Sequence, residues 1–214
     1  GPASQALVEK AKERIENAKL PVLLVGMRGA GESAVRELRQ LVKTTNLPVV
    51  ETFQGAGVIS RELENNFLGR VGLFKNQPGD VLLNKADLII SVGYDSVEYD
   101  PRVWNFNGQH DIIHIDSIQA DIDTHYRPNL ELVGDISGTL HELNSVMDPI
   151  DVEETERSFI DRRLEALART QRQGAEQATS DSGVNPARLV LTLRELITDD
   201  KPTVAADIGT NSIY

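Results

Sequence analysis

Short apolar runs that alternate with amphipathic helical segments predict an α/β fold, a Rossmann-like parallel sheet flanked by helices and followed by a helical connector. Three observations carry this. Pro21-Val-Leu-Leu-Val25 and Leu88-Ile-Ile-Ser-Val92 are continuous apolar runs of strand length, the pattern of strands covered on both faces. Between them, Ala34, Val35, Leu38, Leu41 and Val42 recur at spacings of three and four, which puts them on one face of a helix. The link between the first run and that helix, Gly26-Met-Arg-Gly-Ala-Gly31, is glycine-rich, as a tight strand-to-helix turn requires.

The elements follow in order. From Ser4 to Ala18, Leu7, Val8, Ala11, Ile15 and Ala18 share a helical face, with Ser4 in the place of an N-cap. The strand Pro21–Val25, the glycine turn and the helix through Val42 come next, then a second buried strand at Pro48-Val-Val50. A helix around Gly79 to Ala86 leads into Leu88–Val92, and further strands are expected at Ile112-Ile-His-Ile115 and Leu130-Glu-Leu-Val133. Ile136 to Val146 forms a helix that uses Leu140, Leu143 and Val146 to cover the sheet. Residues 1–147 are thus expected to form a central α/β domain. Asp148-Pro149 breaks the chain, and Val152 to Ser180, rich in Glu, Arg and Gln, predicts a solvated helical connector over 148–184. Asn185-Pro186 then starts a helix, because Asn caps well and Pro fits the first turn, and Thr203-Val-Ala-Ala206 is a strand. One helix and one strand cannot make a core, so 185–214 is expected to be the beginning of a further domain.

The 214 residues carry a formal net charge of −11 with a pI near 4.8. A field of that sign repels phosphate backbones and anionic bilayers, so nucleic acid and membrane surfaces are not the expected partners. No apolar run approaches the roughly 20 residues needed to span a bilayer. With no cysteine, disulfides and thiolate metal sites are excluded, and a cytoplasmic location is the expectation.

Sites of chemistry are few. Gly26–Gly31 lies where backbone amides could hold a phosphate, but it lacks the full G-x-G-x-x-G spacing, and a tight turn alone accounts for its glycines equally well. His110, His114, His125 and His141 show no metal-ligand spacing, so packed or surface histidines and no metal site are expected. There is no Gly-x-Ser-x-Gly elbow and no cysteine nucleophile, and no catalytic residue is expected. Asp95, Glu98, Asp100, Asp116, Asp121, Asp123 and Asp135 lie near strand ends, where α/β proteins bind ligands, yet in so acidic a chain most should be caps or solvated loop charges.

Four stretches together, Phe67-Leu-Gly-Arg-Val-Gly-Leu-Phe-Lys-Asn-Gln-Pro-Gly-Asp80, Ala86 through Trp104-Asn105, His114-Ile-Asp-Ser-Ile-Gln-Ala-Asp-Ile-Asp123 and Glu131-Leu-Val-Gly-Asp135, resemble the central domain of catabolic acetolactate synthases. The likeness runs from about Pro21 to Leu143. Asp207-Ile-Gly-Thr-Asn-Ser-Ile-Tyr214 likewise resembles the start of the family's diphosphate-binding domain.

The resemblance implies a thiamine-diphosphate-dependent, magnesium-requiring enzyme that condenses two pyruvates to 2-acetolactate with loss of carbon dioxide, and that works as a homo-oligomer. It implies that Gly209, Thr210 and Asn211 would lie near the cofactor's phosphates. The activating glutamate and the magnesium-binding motif of the family match nothing in these residues, so this piece is expected to be a structural middle domain, inactive by itself, whose partners are the remaining domains and other subunits. In relatives that bind FAD, the middle domain holds the flavin with Arg, Asp and His. The corresponding places here hold Asp95, Val97 and Phe74, so FAD is not expected. The alternatives are the FAD-binding middle domain of a pyruvate oxidase-like thiamine enzyme and a stand-alone nucleotide-binding module built on Gly26–Gly31.

Overall fold

The computed structural model describes residues 1–73, 77–177 and 183–197. Gly1–Leu164 forms one compact unit and a second begins at Glu165. In the first unit, α1 (Gln5–Asn17) leads to β1 (Pro21–Val25), a 3-10 turn over Met27–Ala30, α2 (Glu32–Thr45) and β2 (Val49–Thr52). There follow β3 (Phe67–Val71), α3 (Pro78–Lys85), β4 (Leu88–Val92), the single turn α4 (Pro101–Trp104), β5 (Asp111–Asp116), β6 (Leu130–Val133) and α5 (Ile136–Val146). The expected elements form within a residue or two of their sequence signals at most positions. Ser4 does precede the first helix, but its side chain makes no capping hydrogen bond.

The six strands are all parallel and lie in the order β3-β2-β1-β4-β5-β6. Side chains alternate between two cores, as the period of two dictates. Leu23, Val25, Ile90, Val92, Ile113 and Ile115 face α1, α2 and α5. Val22, Leu24, Ile89 and Ile112 face the other way, onto Leu82 and Leu83 of α3, with Tyr94, Tyr99, Trp104 and Tyr126. Burial on both faces is why these strands read as unbroken apolar runs.

Sequence periodicity alone does not reveal β3. Its run Phe67-Leu-Gly-Arg-Val71 is interrupted by Gly69 at φ +97°, and its pairing with β2 shifts register between Val49 and Glu51. A glycine at positive φ beside a bulge breaks the alternation that would announce a strand.

Helix α6 (Glu154–Glu176) begins in the first unit. There Ile160 is buried in the α3-side core, Phe159 and Leu164 pack against it, and Lys85 lies 4.9 Å from the centre of the Phe159 ring. In the second unit, α7 (Pro186–Leu196) starts at Asn185, whose Oδ1 accepts from the Arg188 N–H and whose Nδ2 donates to Gly174 and Gln177 carbonyls. Among the described residues no helix is long and apolar enough to cross a membrane.

Candidate functional site at the carboxyl edge of the sheet

In this strand order the connections leave β1 and β4 in opposite directions, which opens a crevice at their carboxyl ends, the usual ligand position in such sheets. The loops after β1 and β4 meet there in close contact. The Gly26 N–H donates to Val92 O at 2.9 Å and the Arg28 N–H to Gly93 O at 3.0 Å. A Cβ on Gly26 would lie 2.6 Å from Gly93 O, and one on Gly93, at φ +59°, only 2.0 Å from the Gly29 nitrogen. Gly26 and Gly29 are therefore needed for one backbone to cross another, whatever else the loop does, whereas a Cβ on Gly31 would meet nothing within 4 Å.

Two charged clusters fill the crevice. The carboxylate of half-buried Glu98 accepts from the Met27 N–H through both oxygens, at 3.0 and 3.1 Å, from the Asp95 N–H at 3.2 Å and from the Thr52 hydroxyl at 2.6 Å. Arg28 reaches across the edge of the sheet. Its Nε donates to both oxygens of Asp116 at 3.0 Å, its Nη2 to Asp116 at 2.7 Å and to Tyr94 O at 2.9 Å, and its Nη1 to Asp95 at 2.8 Å. Asp116 is fully buried and also accepts from the Ser117 N–H at 2.7 Å. The Asp116 hydrogen bonds push the Arg28 pKa upward, against the opposing effect of burial. Asp95 is held below the usual carboxylate range, first by the Val97 N–H and then by Arg28.

Behind this edge, His114 is buried. Its Nε2 lies 3.0 Å from Ile118 O and its Nδ1 2.8 Å from the Tyr126 hydroxyl, which lies 2.7 Å from Ser91 Oγ. His110 bridges the carbonyls of Ala86 and Trp104, His125 faces Asn105 O, and His141 lies beside Glu37 on the surface. All four histidines have packing or surface roles. Among the described residues no group of three or more His, Asp or Glu is placed to hold a metal ion.

Several loop carboxylates cap helices or hold turns. Asp100 accepts from the Arg102 N–H, Asp135 from Gly138, and Asp123 from His125 and Tyr126. The Trp104-Asn105 pair is structural. Trp104 is buried with its Nε1 donating to the Tyr94 hydroxyl at 3.3 Å, and Asn105 Oδ1 accepts from the Gln109 and His110 N–H groups.

Of the positions matched to flavin contacts, Asp95 is at the crevice and Val97 is 92% exposed, while Phe74 lies outside the described residues. Sequence reading missed Arg28, which comes from the loop after β1, and did not distinguish Glu98 from its acidic neighbours. Gly209, Thr210 and Asn211 also lie outside the described residues. Two open surface grooves, of about 310 and 400 Å³, lie elsewhere, one beside α2 at Arg36, Arg39 and Lys43, the other at the amino ends of β4 and β5.

Residues 8–143 match the family model of the thiamine pyrophosphate enzyme central domain. The chain belongs to that family. The chain is 45% identical, over 217 residues and the whole of its length, to the acetolactate synthase of Bacillus subtilis (strain 168). It is 32% identical over 225 residues, again the whole chain, to the catabolic acetolactate synthase of Raoultella terrigena, and 29% identical over 221 residues, 97% of the chain, to a probable acetolactate synthase large subunit of Methanococcus aeolicus. It spans 37, 38 and 36% of those relatives' lengths.

Several polar groups of this crevice are matched by partners within the chain itself. Here the Met27 and Asp95 amides already face Glu98, and Arg28 is matched by two carboxylates.

Proposed function

We propose that this chain is the middle domain, connector and first residues of the next domain of a catabolic-type acetolactate synthase, which condenses two pyruvates to 2-acetolactate and releases carbon dioxide. The observation that carries this reading is the 45% identity to the Bacillus subtilis acetolactate synthase along the whole chain. In the whole enzyme, bound thiamine diphosphate with magnesium supplies the carbanion-stabilising chemistry, and Gly209, Thr210 and Asn211 are the residues of this chain assigned to its phosphates. The central domain itself holds its loops in a fixed arrangement and presents them to the neighbouring domains of a homo-oligomer. The ion clusters at the sheet edge support a structural role, because they leave no free base, nucleophile or anion cradle among the crevice groups described above.

The test is an acetolactate assay with pyruvate, thiamine diphosphate and magnesium, run on this chain and on a longer protein that contains it. Turnover is expected from the longer protein alone. Turnover by the 214 residues unaided, or none by a folded longer protein, refutes the assignment.

A further inference from the structure

We infer that Glu98 is a built-in anion: its carboxylate occupies the phosphate position of the loop after β1 and determines that this crevice rejects phosphate ligands. The crevice offers what an anion site needs, two backbone N–H groups, of Met27 after β1 and Asp95 after β4, and the Thr52 hydroxyl from the end of β2. All three converge on one carboxylate contributed by the chain itself. The contact draws together the segments after β1, β2 and β4, much as a bound ligand does across the switch point of such a sheet.

Electrostatics strengthens the exclusion. Glu98, Asp95 and Asp116 contribute three negative charges against the single positive charge of Arg28, so the cluster carries −2. An arriving phosphate would have to displace Glu98 and then face the repulsion of Asp95. Two substitutions reverse both conditions. Glu98→Ala frees the two amides and the hydroxyl and opens room for a tetrahedral anion. Asp95→Asn leaves Arg28 balanced by Asp116 alone and releases one Nη1 contact, while the introduced carboxamide oxygen can still accept from the Val97 N–H as the Asp95 carboxylate does now at 3.0 Å.

The experiment titrates the 214-residue protein and the Glu98→Ala/Asp95→Asn variant with inorganic phosphate, against sodium chloride at matched ionic strength, reading thermal stability and amide NMR shifts. In the parent, phosphate and chloride should act alike. The double variant should show a saturable phosphate-specific rise in Tm, with affinity at least about tenfold above the parent and shifts centred on the backbone amides of Met27 and position 95. Equal phosphate response in both proteins, or none in a folded double variant, overturns the inference. Should the double variant not fold, Glu98→Gln decides it. This near-isosteric change should move the Met27 and Asp95 amide resonances and speed their hydrogen exchange, and unchanged amides there overturn the assignment equally.

Discussion

Asp116 shows how far one partner can determine the state of a residue. It is fully buried, and its charge is tolerated because Arg28 contacts both of its oxygens and the Ser117 N–H supplies a further donor. Removing Arg28 leaves that carboxylate without its counter-charge. Arg28→Ala should therefore cost about 3 kcal/mol of unfolding free energy in urea titrations, and Asp116→Asn distinctly less, because the amide keeps an acceptor and no charge is stranded.

Glu51 is another buried carboxylate. Burial raises its pKa, against the Ile59 and Gly57 N–H groups that favour the ionised form. A carboxyl whose folded pKa lies above its unfolded value costs stability as pH rises from about 4 through the folded value. Glu51→Gln has no such group to ionise, so its stability relative to the parent should grow across that window. A difference that stays flat with pH in denaturant titrations would remove Glu51 as the cause.

Among the elements, the crossing of the loops after β1 and β4 is the tightest feature. Gly93 combines φ +59° with a Cβ position 2.0 Å from the Gly29 nitrogen, whereas Gly57, at φ +90°, has nothing within 4 Å. Gly57→Ala should cost about 1 kcal/mol, the backbone term alone. Gly93→Ala must also force the two loops apart, and should cost at least about 3 kcal/mol or prevent folding. Equal Tm losses would show that the crossing yields more easily than its geometry indicates. Helix α6 contributes through its first turns, where Ile160 is buried between its packing neighbours and Lys85 pairs with Glu156.

At the scale of the whole molecule, the compact unit Gly1–Leu164 includes part of a helix whose composition looks solvated. A chain ended after Met147 loses Ile160, Phe159 and Leu164 from the α3-side core, while one ended after Leu164 keeps them. The shorter piece should be less stable by about 2 to 5 kcal/mol, the range for emptying large apolar side chains from a core. Calorimetry of the two pieces measures this, and matching Tm values would place the edge of the cooperative unit near residue 147.

The class of fold is legible in the residues alone. Strands buried on both faces read as unbroken apolar runs at Pro21–Val25 and Leu88–Val92, and helix faces repeat at three and four, because burial acts directly on local residue choice. The residues also carry the family, through stretches whose order matched. The role of the Gly26–Gly31 loop, and the difference between Asp95, Glu98 and Asp116 and the other carboxylates, emerge in the folded chain. Those answers depend on partners 46 to 88 residues away along the chain, such as Thr52 for Glu98 and Arg28 for Asp116. The reason is physical: hydrophobic patterning is set by neighbours in sequence, whereas the state of a charge is set by whichever donors folding brings within hydrogen-bond reach.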